Sequence, residues 1–182
     1  RHIMPARKLC AERGQRTVFN FLGPLLNPAR PTSQLIGVPT GELCEPIARV
    51  LQSLGIRRGM VVNGKAGDSA MDELSTLGEN TVAEFYQDRG FSVSRDEPSL
   101  FPLQPATLDD LKGGDAGENA ATIRAILAGE DRGPRRDAVL LNAAHALFVA
   151  ARTKSAIEGW DLAASVIDDG LAKSKLAELT DD

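Results

Sequence analysis

The segment Arg16-Thr17-Val18-Phe19-Asn20-Phe21-Leu22-Gly23-Pro24-Leu25-Leu26-Asn27-Pro28 restricts the possible folds more than any other part of this chain. It is largely apolar, yet two Asn and two Pro interrupt it. Pro24 and Pro28 each lack an amide donor and bias the preceding residue away from helix. The run therefore cannot form a long helix, nor a central strand over its full length. An ordered, apolar and repeatedly broken segment lines a pocket or joins two lobes; a solvated linker would be more polar.

A chain of 182 residues is long enough for one domain with a proper core. With 42% hydrophobic and 25% charged residues it reads as globular, since disorder would need fewer apolar side chains and a larger charge imbalance. Cys10 and Cys44 are too few for a disulfide framework or a metal cluster, and read as small hydrophobes in a reducing compartment. No apolar stretch reaches membrane-spanning length and no signal peptide is visible, so the expectation is a cytoplasmic protein with no membrane partner. The opening Arg1-His2-Ile3-Met4 reads as the interior of a longer protein.

The net charge of −4 conceals an asymmetry. Residues 1–30 hold six basic side chains (Arg1, Arg7, Lys8, Arg13, Arg16 and Arg30) against the single acid Glu12, leaving −9 for the remainder. A basic segment beside a Gly-Pro-broken apolar run suits a small anionic ligand, although any one of these residues is more simply explained by a solvated helix face. Nucleic acid is disfavoured, because the basic residues are few and interleaved only with Phe19 and Phe21.

Beyond residue 30 the pattern alternates. Ser33 to Val38 predicts a strand closed by Pro39, and Leu43, Ile47, Val50, Leu51 and Leu54 follow at helical spacing up to Gly55. Pro46 marks either a later start of that helix or a kink. Gly59 to Gly64 is a second strand, which makes a βαβ unit of a parallel sheet. Thr81–Tyr86 and Phe91–Ser94 predict a hairpin around Gln87 to Gly90. The second half is helical: Asp115 and Glu118 have capping-box spacing, Pro134 starts a helix, and Ser155 with Glu158 repeats the capping-box pattern before Ala163, Val166, Ile167 and Leu171. The predicted class is α/β, a mainly parallel sheet flanked by helices.

Two loops carry candidate chemistry. Gly64 to Ser75 follows the second strand, where ligand sites gather in open parallel sheets. Its adjacent Asp72 and Glu73 can hold Mg²⁺, a hard cation often bridged to substrate phosphates. From the residues alone, a solvated or helix-capping pair is the simpler reading. Gly113-Gly114-Asp115-Ala116 resembles an anion nest, but Asp115 would repel a phosphate and the capping box already explains it. His145, on an Ala- and Leu-rich helix with no acid or Cys at ligand spacing, reads as a packed histidine. No catalytic triad, nucleophile elbow or zinc pattern is present.

Five stretches in order resemble anthranilate phosphoribosyltransferases: the run from Arg16 to Pro28, Gln34 to Val38, Met71 to Ser75, Gly113 to Ala120, and Asp137 to Ala144. Gly170 to Leu176 is similar as well. The resemblance implies a nucleoside phosphorylase/phosphoribosyltransferase-like catalytic domain that joins anthranilate to phosphoribosyl pyrophosphate with Mg²⁺, in an enzyme that is homodimeric at full length. It implies that Asp72 and Glu73 bind the metal, that Arg7 meets the anthranilate carboxylate, and that Pro24 flanks the aromatic substrate. A planar guanidinium suits that carboxylate contact. The chain is about three residues longer than the common pattern between Lys8 and Arg16, so Arg13 competes with Arg7. Residues 1–30 would lead to a helical domain and 31–182 would form the α/β domain. The family's Gly-rich pyrophosphate loop lies upstream of the residues present, so this piece alone is expected to be inactive. Substitution at the ribose anomeric carbon needs positioning and electrostatics more than a nucleophile, and no side chain is assigned as catalytic. The alternatives are a pyrimidine nucleoside phosphorylase-like enzyme and a non-catalytic relative that binds nucleic acid.

Overall fold

The computed structural model describes residues 8–10, 12–14, 22–87 and 89–180. The chain divides into two units, Arg1–Thr32 and Ser33–Asp182. In the first, the broken apolar run contributes one short helix, α1 (Leu22–Leu25). Asn27 then closes a turn: its Oδ1 accepts from the Ala29 amide at 3.0 Å and its carbonyl from the Arg30 amide at 3.1 Å. An Asn ahead of Pro favours this local side-chain turn over continued helix.

In the second unit, β1 (Ser33–Gly37) leads through a 3₁₀ turn (Gly41–Leu43) into α2 (Cys44–Ser53) and then β2 (Arg58–Ala66). Pro46 falls in the first turn of α2, where its missing amide has no intrahelical partner to lose. β1 and β2 pair in parallel, from Ser33 opposite Arg58 to Gly37 opposite Val62, so the expected βαβ unit is present. β2 continues past Gly64 and turns at Gly67-Asp68 into β3 (Ser69–Met71). Gly67 has φ +60°, which a tight hairpin turn requires at that position. β4 (Asn80–Tyr86) pairs with the other edge of β2, and β5 (Gly90–Asp96) with β4.

The expectation of a mainly parallel sheet is therefore corrected. Among the described residues one pairing is parallel and three are antiparallel. The connections from β2 to β3 and from β4 to β5 are too short for a parallel crossover, which takes a dozen residues or more. The α/β class stands, with a mixed sheet flanked by helices.

β2 is buried almost throughout, so its residues serve both faces of the sheet. Met60, Val62 and Val82 pack with Leu140, Leu141, Ala144, Trp160, Ala163 and Ile167 in one cluster. These helical partners come from α5 (Pro134–Val149) and α6 (Ala156–Asp168). Val61, Ala83 and Phe85 alternate with that set, so they lie on the face where α2 contacts β2 and β4. α3 (Leu108–Leu111) and α4 (Ala116–Leu127) precede these helices.

The Asp115–Glu118 capping box forms in full, with both bonds at 2.9 Å. The Ser155 pattern forms only by half. Ser155 caps the Glu158 amide, but Glu158 reaches back to the Lys154 amide at 2.9 Å. The last helical stretch is also divided: α6 stops at Asp168, and Leu171 begins α7 (Leu171–Thr180) after a turn at Asp169-Gly170.

His145 is packed as expected. Its Nδ1 lies 2.8 Å from the Leu141 carbonyl, which fixes the proton on that nitrogen, and Phe101 stacks obliquely against the ring at 5.7 Å. Burial pushes its pKa below the ordinary imidazole value, although the Leu141 carbonyl, Asp96 and Glu84 oppose the shift. The unfolded chain then binds a proton that the folded state refuses, so this group's contribution to stability falls as pH drops through about 6.5. Thermal melts at successive pH values should show that loss, and His145→Gln should flatten it.

Candidate functional site

Two strand ends meet along one edge of β2. β1 occupies that edge up to Val62, and β3 occupies it from Gly64 to Ala66 in the opposite direction. The chain leaving β3 at Met71 therefore runs straight into the C-terminal end of β1 and has to turn away. The contact is so close that a Cβ on Gly37 would lie 1.5 Å from the Asp72 carbonyl oxygen. A Cβ on Gly64 would lie 2.4 Å from that of Ser75. Only glycine lets the backbones pass, and the turn projects Asp72 and Glu73 at the carboxyl end of the parallel pair, both exposed. The segment read from sequence as one loop, Gly64 to Ser75, is thus half hairpin, and the acid pair follows β3 rather than β2.

Peptide groups leaving a strand lose their ladder partners, and three asparagines supply replacements. Asn63, buried in the seam between the strand ends, donates through Nδ2 to the carbonyls of Val38 at 2.7 Å and Met71 at 3.0 Å. Asn142 on α5 accepts from the Leu74 amide at 3.0 Å and donates to the Leu74 carbonyl at 3.0 Å. Buried Asn80 does the same for Ser75, accepting at 2.7 Å and donating at 3.0 Å. Leu74 and Ser75 are fully buried immediately after the exposed acids. The pair is thus carried on fixed backbone.

Neither Asp72 nor Glu73 forms an ion pair or side-chain hydrogen bond among the described residues. Partial desolvation of the Glu73 carboxyl, and then the Asp72 charge, raises its pKa above the ordinary carboxylate value. A carboxylate disfavoured by its neighbour's charge gains from any cation placed between the two. Among the described residues no three His, Cys, Asp or Glu side chains converge to hold a metal, so the protein offers two acids here. Glu73 and Asn142 also line a groove of about 610 Å³ between the α3–α4 segment and α5, with Lys112 and Arg135 on its walls.

Of the other residues singled out by sequence, Pro24 is exposed in α1 of the 1–32 unit, and Arg7 lies outside the described residues. Arg13 is exposed, in a turn whose amide donates to the Cys10 carbonyl at 3.1 Å. Asn63, Asn80 and Asn142 were not picked out from sequence, although Asn142 stands inside one of the resembling stretches. A polar side chain recurring in an otherwise buried apolar run was the available signal.

Residues 1–173 match the glycosyl transferase family, a/b domain. The chain belongs to that family. Within this glycosyl transferase family, its relatives include the anthranilate phosphoribosyltransferase of Geobacter sulfurreducens, 47% identical over 98% of this chain and 49% of the relative. Among solved structures, the anthranilate phosphoribosyltransferase of Thermus thermophilus superposes with a TM-score of 0.82 at 41% identity, over 97% of this chain and 50% of that one. The Saccharomyces cerevisiae enzyme in complex with PRPP and Mg gives 0.83 at 28% identity, over 96% and 49%. The resemblance read from the five stretches therefore holds along nearly the whole chain and favours the anthranilate reading over the pyrimidine nucleoside phosphorylase one. The chain spans about half the length of the curated relatives it matches. No helix among the described residues is long and apolar enough to cross a membrane.

Gly37→Ala should force the β1 end and the acid loop apart, costing about 1–3 kcal/mol as overpacking does. Urea denaturation read by the single tryptophan, Trp160, checks this.

Proposed function

We propose that this chain is the metal-binding and acceptor-binding portion of an anthranilate phosphoribosyltransferase, which transfers the phosphoribosyl group from phosphoribosyl pyrophosphate to anthranilate in tryptophan biosynthesis. The observation that carries this reading is the Asp72–Glu73 couple at the carboxyl end of β1, in no ion pair among the described residues, in a chain 47% identical to an enzyme of that name. Asp72 and Glu73 suit Mg²⁺, which takes one or two carboxylates and fills its remaining positions with water and substrate phosphate oxygens. When bound, the ion neutralises charge developing on the departing pyrophosphate.

The protein's own groups hold and orient. Asp72 and Glu73 fix the metal on a rigid backbone, and Arg7, or Arg13 in its place, pairs with the anthranilate carboxylate. Pro24, in α1, packs against the aromatic ring. No side chain acts as nucleophile. Residues 1–30 connect to a helical domain through which two copies of the full-length protein pair, and residues 31–182 form the α/β domain. The enzyme works in the cytoplasm, with neither nucleic acid nor membrane as a partner. A Gly-rich pyrophosphate loop from outside these 182 residues completes the site.

In the full-length protein, Asp72→Ala combined with Glu73→Ala should lower turnover at limiting Mg²⁺ by more than tenfold, since even outer-shell metal partners are worth about 10–100-fold. An unchanged Mg²⁺ dependence would remove the assignment. The isolated 182-residue chain should show no turnover with both substrates.

A further inference from the structure

We infer that Asn142 is a positioning residue for the divalent cation, acting through the Leu74 peptide on the acid pair beside it; this rests on the metal reading of Asp72 and Glu73. Asn142 does not touch the carboxylates. Its amide grips both polar atoms of Leu74, each at 3.0 Å, as an adjacent strand would. A third bond, Nδ2 to the Ala138 carbonyl at 3.0 Å, ties the same amide to the preceding turn of α5. With one acceptor and both donor hydrogens engaged, the side chain has a single orientation.

The chemistry of the grip is particular to a short primary amide. Aspartate at this position would keep the acceptor for the Leu74 amide but set a negative oxygen against the Leu74 carbonyl. Leucine or alanine would leave both Leu74 groups without partners where burial makes that costly. Glutamine is one methylene too long for the same registry. Leu74 directly follows Glu73, so a shift of its peptide moves the Glu73 backbone and changes the separation of the two acids. Mg²⁺ demands near-ideal octahedral geometry and tolerates such a shift poorly. Asn63 and Asn80 hold flanking peptides at Met71 and Ser75, which leaves the peptide next to Glu73 to Asn142. Because Asn142 stands on α5, it also couples the metal loop to the helix that packs on β1 and β2.

The test is Mg²⁺ binding by calorimetry, repeated with Mn²⁺ by electron paramagnetic resonance, on the full-length protein. Four proteins are compared: wild type, Asn142→Ala, the Asp72→Asn/Glu73→Gln double variant, and Val149→Ala. Val149 is buried near the far end of α5 and serves as a control for lost stability alone. The expected result is a dissociation constant raised about tenfold in Asn142→Ala, in line with outer-shell partners, and unchanged in Val149→Ala. Wild-type binding that is abolished in the acid double variant but unaltered in Asn142→Ala would overturn the positioning role and leave the metal site standing. An equal loss in Val149→Ala would also overturn it, by showing that any loosening of α5 suffices. Wild-type binding that the acid double variant does not weaken would overturn the metal reading itself, and this inference with it.

Discussion

Backbone amides and carbonyls that leave a β-ladder must find new partners or stay in water. Two residues after β3 they can no longer reach water, because Leu74 and Ser75 are buried. The asparagine amides of Asn63, Asn80 and Asn142 take the place of the missing strand. The placement of the acid pair depends on that substitution. Without it the segment from Met71 to Asn80 would be an ordinary surface loop, and two adjacent carboxylates on it would have many separations instead of one.

The same geometry explains why the two acids can be both exposed and constrained. Leu74 and Ser75 are buried and anchored, so conformational freedom ends one residue after Glu73. Asp72 and Glu73 themselves form no ion pair among the described residues, and partial desolvation of the Glu73 carboxyl, then the Asp72 charge, raises its pKa. Other surface acids are treated differently. Glu79, for example, pairs with Lys65 at 2.8 Å and its pKa is lowered. A carboxylate couple with no ion pair on a fixed backbone is what the proposed metal site requires, since a cation between the two would relieve their mutual repulsion.

Much of this fold could be read from residue order. Strand, helix and strand between Ser33 and Gly64, the hairpin of β4 and β5, and the helix starts at Asp115 and Pro134 all follow from local periodicity and caps, which short-range forces decide. The antiparallel pairing of β2 with β3 and with β4 does not. β3 is three residues long and polar at its start, so it carries no periodic signal and exists only because β2 extends beyond Gly64 to meet it. The acid pair was visible as a motif, but the bond that holds it joins Leu74 to a residue 68 positions away, and no local pattern announces such a contact. The seam at Gly37 is hidden for the same reason: the glycine is needed by a backbone that arrives from elsewhere in the chain.

A cation lying between Asp72 and Glu73 at the carboxyl end of β1 is the central requirement of the enzyme reading. Anomalous diffraction from crystals of the full-length protein soaked in Mn²⁺ and phosphoribosyl pyrophosphate tests this directly. A manganese peak within coordination distance of both carboxylates is the predicted result. Manganese bound only to other residues, with the Asp72 and Glu73 oxygens left uncoordinated, would contradict it.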